Sequence, residues 1–153
     1  MSSQILKKEL RELKRELNGE LEFDEIITTI YSTDASAYKE QPLAVAWPKD
    51  SGDIKKILLF AVDHKIGLIT RAAGTSLAGQ VVGNGIIMDI SKHLNKILEL
   101  NEKDMWVRVE PGVVLDELNL FLKQHGLFFG PETSTSNRCN LGGMVGNNAC
   151  GSH

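Results

Sequence analysis

Eight of the fourteen glycines in this 153-residue chain fall in two short segments. Gly74, Gly79, Gly83 and Gly85 form one cluster, and Gly142, Gly143, Gly146 and Gly151 form the other. Glycine weakens a helix or strand interior by about 0.5–1 kcal/mol relative to alanine. It is favoured where the backbone turns sharply or passes close to a neighbour. The two clusters therefore need an account of their own.

The elements follow from periodicity. Leu6, Leu10, Leu13 and Leu17 repeat at spacings of 4, 3 and 4, which predicts an amphipathic helix over 5–17, stopped by Asn18-Gly19. With barely two heptads, this helix is expected to pack on its own domain rather than in a coiled coil. Residues 22–38 are a mixed stretch ending in Tyr31-Ser32-Thr33-Asp34-Ala35-Ser36. From Pro42 short strands and helices alternate. Leu43 to Trp47 reads as a buried strand, and Asp50 or Ser51 as the cap of a helix whose stripe is Ile54, Ile57, Leu58, Ala61 and Val62. Gly67 is expected to end that helix before strands at 68–70 and 86–90. Strand, helix, strand in this order predicts a right-handed crossover and a parallel pair.

Further on, Ile97 to Leu100 and Met105 to Val109 flank Asn101-Glu102-Lys103-Asp104, the signature of a hairpin. Leu115, Leu118, Phe121 and Leu122 mark another helix, ended by Gly126, and Leu127-Phe128-Phe129 reads as a short strand. The expected class is α+β. A helical segment over 1–40 precedes a small β/α subdomain over 41–95 and the beginning of a second mixed subdomain over 96–153.

Composition excludes several function classes. The net charge is −3, so no basic excess marks a nucleic-acid partner. The longest clean apolar run, Ile57 to Val62, is far short of the roughly 20 residues a membrane span needs. No secretion signal precedes the first helix, and two cysteines, Cys139 and Cys150, make no disulfide framework; a reduced cytoplasmic setting is expected. His64, His93 and His125 have no ligand spacing, and Cys150-x-x-His153 is at most half of a zinc site, so no metal is expected. No Gly-x-Ser-x-Gly elbow is present. Asp34, Asp50 and Asp89 read as caps or turn residues rather than catalytic carboxylates.

The segment Arg71-Ala72-Ala73-Gly74-Thr75-Ser76-Leu77-Ala78-Gly79-Gln80 leaves a predicted strand and carries small residues, two hydroxyls and one guanidinium. Small side chains expose successive backbone N–H groups, which suit phosphate oxygens. The same composition also describes a tight surface loop. The P-loop is excluded because no Gly-Lys-Ser/Thr follows a glycine at the right spacing. A Rossmann fingerprint fails too, since Gly83-Asn84-Gly85 runs into a strand rather than a helix.

That loop resembles the pyrophosphate loop of FAD-linked oxidoreductases of the vanillyl-alcohol oxidase type. Val109-Glu110-Pro111-Gly112-Val113, Gly130-Pro131-Glu132-Thr133-Ser134 and Leu141-Gly142-Gly143-Met144-Val145-Gly146-Asn147-Asn148-Ala149 follow in the family's order. The likeness is closest to the glycolate oxidase D-subunit and D-lactate dehydrogenase branch. The Tyr31 to Ser36 motif and the extension through Cys150-Gly151-Ser152-His153 look like its large fused flavin/iron–sulfur members.

The resemblance implies a PCMH-type FAD-binding fold. It places the FAD pyrophosphate on the backbone of Arg71, Ala72, Ala73, Gly74, Thr75 and Ser76, and puts Leu77, Gly79 and Gln80 nearer the ribityl chain and flavin ring. Pro131, Thr133, Ser134, Gly142, Gly143, Asn147 and Asn148 would contact the cofactor from the second subdomain. Thr75 stands where some members carry a histidine bonded to flavin, which implies non-covalent FAD. The family often has Arg-Gly-Gly-Gly where this chain has Arg71-Ala72-Ala73-Gly74, so residues 72 and 73 must avoid left-handed angles.

The resemblance further implies oxidation of a small 2-hydroxy acid by hydride transfer to FAD in a longer protein, with electrons passing to an acceptor the sequence does not name. Substrate-binding and iron–sulfur segments would follow His153, and the catalytic residues would lie there. A non-catalytic structural or interaction module, supported by the leucine stripe, is the competing expectation.

Overall fold

The computed structural model describes residues 3–151. Ser152, His153 and the half zinc site drawn on His153 lie outside the described residues. The element order is α1 (Ser3–Glu16), β1 (Glu20–Glu22), α2 (Glu25–Ile30), β2 (Ala44–Trp47), α3 (Ser51–His64), β3 (Leu68–Arg71), β4 (Ile86–Asp89), β5 (Ile97–Asn101), β6 (Trp106–Val109), α4 (Leu115–Lys123) and α5 (Leu141–Gly146). The chain divides into two compact units. The first runs to Thr70 and includes Ser76–Asp89; the second takes Arg71–Thr75 and the residues from Ile90 onward.

The first unit is built on a mixed sheet in the order β1-β2-β4-β3. β1 pairs antiparallel with β2, and β2 pairs parallel with β4. Ile86 N–H donates to Gly67 C=O and Ile90 N–H to Arg71 C=O, four residues further along both strands, so β3 also runs parallel to β4. The strands joined by α3 are thus not neighbours, because β4 lies between them. Every residue of β2 and β4 is buried, as expected for central parallel strands covered on both faces.

The leucine stripe of α1 is consumed by this unit's own core. Leu10, Leu13 and Leu17 are buried with Leu21, Ala44, Ala46, Ile57, Ile86 and Met88. Asp50 caps α3 through its Oδ1, which accepts the Asp53 N–H at 2.9 Å. The helix ends earlier than Gly67, on Lys65, which adopts φ 55° while Ile66 N–H closes back on Ala61 C=O. The constraint falls instead on Gly85. A Cβ on Gly85 would lie 1.9 Å from the Gly67 carbonyl oxygen, so the strands meet here at a separation only glycine allows.

The second unit carries the hairpin β5–β6, with a register irregularity between Ile97 and Glu99. Its turn sits one residue later than the charge pattern suggests: Asn101 pairs with Trp106, and the Asn101 side chain closes the loop on Asp104. Val113, Leu115, Leu118, Leu122, Leu141 and Met144 form the core. α4 has no side-chain cap at Val114; Leu115 N–H and Asp116 N–H donate to Cys139 C=O and Ser136 C=O instead. Gly126, at φ 69°, terminates the turn after α4.

The expected strand at 127–129 does not form. Phe129 N–H donates to Asn119 Oδ1 at 2.7 Å, and Asn119 Nδ2 donates to Phe129 C=O at 3.4 Å, so one amide side chain takes the place of a neighbouring strand.

Candidate functional site

After β3 the backbone passes through the 71–80 segment, of which residues 71–75 belong to the second unit and 76–80 to the first. Ala72 and Ala73 stay out of the left-handed region, and within the segment only Gly74 (φ 68°) and Gly79 (φ 69°) enter it. The N–H groups of Ala72, Ala73, Gly74 and Thr75 donate to no described residue. Four successive amide donors without an internal partner, none fully buried, form a donor set that a polyanion could engage. The Arg71 guanidinium lies against Gly74, where an added Cβ would sit 2.7 Å from Nη2. A cation beside unpaired amides raises the local positive potential.

The remainder of the segment is differently engaged. Ser76 Oγ donates to Gln80 Oε1 at 2.6 Å and accepts the Ala78 N–H at 3.2 Å, so its proton is held within the loop. Leu77 is exposed. Gly79 is covered by the ring of Tyr38, and a Cβ there would lie 2.6 Å from Cδ2. Tyr38 is itself 62% exposed, and the sequence offered no periodic signal to single it out.

In the second unit, Asn140 precedes α5 and is buried. Its Nδ2 donates to Gly112 C=O at 2.7 Å, while its Oδ1 has no partner among the described residues. Leu141 N–H and Gly142 N–H donate to Val113 C=O and Pro111 C=O. The Pro111–Gly112–Val113 turn therefore holds the start of α5. Gly142 permits that approach, since a Cβ would lie 2.7 Å from Pro111 Cβ and 2.9 Å from Ile90 Cδ1. Asparagine is a common residue at a helix start, which hid the inward turn of the Asn140 side chain.

Gly143 faces the 71–75 segment directly: a Cβ on it would be 3.1 Å from Ala72 Cβ. Past the end of α5, Asn147 caps the helix and Asn148 adopts φ 50°, both with exposed side chains. Thr133 Oγ1 lies 3.0 Å from Cys139 Sγ, Pro131 is half-buried, and Ser134 is exposed at the start of the turn that follows. The structure thus groups residues 71–75, 131–134 and 142–148 in one unit and Ser76, Leu77, Gly79 and Gln80 in the other.

The carboxylates divide into separate roles. Asp34 forms a turn by accepting the Ser36 N–H. Asp50 is the helix cap, and its carboxyl is held below the ordinary value by the Asn18 side-chain amide and the Asp53 N–H. Asp89 is neither a cap nor a turn residue. It is buried in β4 and accepts the Tyr31 hydroxyl at 2.6 Å, while Trp47 Nε1 donates to that same hydroxyl oxygen at 3.0 Å. Among the described residues no group of three or more metal-ligating side chains comes together.

The FAD-binding-domain family matches residues 42–153, which run from β2 through the 71–80 segment to α5. The chain belongs to this family. D-2-hydroxyglutarate dehydrogenase from Haemophilus influenzae is 50% identical over 123 residues, covering 78% of this chain and 12% of that protein. Glycolate oxidase subunit GlcD from Bacillus subtilis is 29% identical over 152 residues, covering 96% of this chain and 32% of the relative. This FAD-binding domain therefore spans only a minor part of the length of the relatives it matches. Its fold is that of p-cresol methylhydroxylase, with a TM-score of 0.77 at 18% identity over 97% of this chain and 30% of the other. The PCMH-type FAD-binding fold expected from the motifs is the fold present, and FAD is the cofactor of the family. No helix among the described residues is long and apolar enough to cross a membrane.

Proposed function

We propose that this chain is the FAD-holding segment of a flavoprotein that oxidises a small 2-hydroxy acid. The observation that carries the reading is the run of unpaired amides at Ala72, Ala73, Gly74 and Thr75 beside the Arg71 guanidinium. These groups would bind the pyrophosphate by backbone hydrogen bonds, each stronger for having a charged acceptor. Ser76, Leu77, Gly79 and Gln80 would follow the cofactor away from the phosphates, and Pro131, Thr133, Ser134, Gly142, Gly143, Asn147 and Asn148 would complete its enclosure.

When bound, FAD supplies a two-electron acceptor for hydride transfer. This chain's own part is binding and orientation. Thr75 forms no bond to a flavin ring, which favours non-covalent attachment. The 2-hydroxy acid follows from the names of the relatives, whose remaining length would carry the substrate groups and the route to an electron acceptor. A chain with only two cysteines and no disulfide framework favours a reduced, cytoplasmic setting. The competing reading as an interaction module loses its main support, because the stripe Leu10, Leu13 and Leu17 is buried in its own unit.

Titration with FAD tests this reading. The chain should quench flavin fluorescence on binding. Gly74→Val should weaken binding roughly tenfold or more, because a β-branched residue at φ 68° is strained and its Cβ meets Arg71. Circular dichroism should be unchanged. Equal affinity in a folded Gly74→Val protein would sink the pyrophosphate assignment.

A further inference from the structure

We infer that the contact between Ala72 and Gly143 positions the amide donors of the 71–75 segment, so that the size of residue 143 sets flavin affinity through residue 72. This inference rests on the flavin reading above and adds to it a positioning role for a pair 71 residues apart.

Three observations support it. The approach is close: a Cβ on Gly143 would fall 3.1 Å from Ala72 Cβ, tighter than ordinary van der Waals contact, and among the described residues nothing else outside the chain neighbours and backbone of α5 comes within 4 Å of that point. Ala72 is therefore the tertiary neighbour that limits position 143. The second observation is that α5 cannot give way easily. Leu141 and Gly142 are hydrogen-bonded to the 111–113 turn, Asn140 Nδ2 is tied to Gly112 C=O, and Gly142 is closely packed on Pro111 and Ile90. Thirdly, the 72–75 amides donate to no described residue that would hold them. Where a rigid helix start meets an untied loop, added volume displaces the loop. Ala72 and Gly143 thus divide between them the space for a single methyl group. Moving that methyl from one residue to the other conserves volume.

Flavin titration of the chain carrying Gly143→Ala, and of the double variant Ala72→Gly/Gly143→Ala, tests the inference. Gly143→Ala should weaken FAD binding roughly tenfold. Its melting temperature without FAD should not fall, because alanine favours a helix over glycine. The double variant should return affinity to within about threefold of the unaltered chain, because the methyl is shifted rather than added. A merely structural defect would instead lower the flavin-free melting temperature together with the affinity. Unchanged affinity in Gly143→Ala, or a double variant as weak as the single one, overturns the inference while the flavin reading stands. Failure of the unaltered chain to bind FAD overturns the flavin reading and this inference with it.

Discussion

Replacing Asp53 with alanine should loosen the attachment of the N-terminal helix to the sheet. Asp53 is fully buried, and its carboxylate accepts three backbone N–H groups: Asn18 at 2.9 Å, Gly19 at 2.8 Å and Lys49 at 3.0 Å. The first two belong to the turn after α1 and the third to the turn before α3, so one side chain fastens both. A hydrogen bond to a charged acceptor contributes about 1.5–3 kcal/mol. Asn18 and Lys49 are exposed, so water can replace part of what they lose. A net loss of about 3–5 kcal/mol is expected, against a total of about 5–15 kcal/mol for a domain of this size. The melting temperature should fall by on the order of 10 °C. Urea denaturation followed by tryptophan fluorescence measures the loss, with buried Trp47 reporting on the first unit. Asp53→Asn should lose nearly as much, because its NH2 would face a backbone donor. A loss below about 1 kcal/mol in Asp53→Ala would refute the reasoning and mean that water replaces all three bonds.

Two further outcomes follow from the same unit. Tyr31→Phe removes one partner each of buried Asp89 and of Trp47 Nε1, and should cost about 1–3 kcal/mol in urea denaturation. The Asp50 carboxyl is depressed in the folded state, first by Asn18 and then by the Asp53 N–H. Its stabilisation is therefore present above the ordinary value of 3.8 and is lost as pH falls through the lower folded value. Asp50→Asn should flatten the acid side of a stability-against-pH curve below about pH 4, leaving the neutral side's slope unchanged.

Much of this was legible in the chain. The α1 stripe, the α3 and α4 helices, the buried strands and the hairpin all follow from spacings of two to four residues, which a sequence displays directly. The order of four short motifs carried the family. Misreadings arose where a local signal had a distant competitor. Gly67 has the composition of a helix stop, but Lys65 closes α3, and the close approach here requires glycine at Gly85, whose Cβ would meet the Gly67 carbonyl. Leu127 to Phe129 has the composition of a strand, but Leu127 N–H donates to Leu122 C=O and Asn119 bonds the Phe129 backbone. Asp89 looked like a turn residue until Tyr31, 58 positions away, supplied its partner.

Local spacing was enough for α1, α3, α4, the strands from β2 to β6 and the order of the glycine motifs, but not for β1, α2 or the short helix α5 that the second glycine cluster forms. Only the tertiary structure decided what each glycine makes room for: Arg71 at Gly74, Tyr38 at Gly79, Pro111 and Ile90 at Gly142, and Ala72 at Gly143. The physical reason is range. Periodicity records interactions within a few turns of the chain. The absence of a Cβ records only that something comes close, and the neighbour that does so is brought there by the fold.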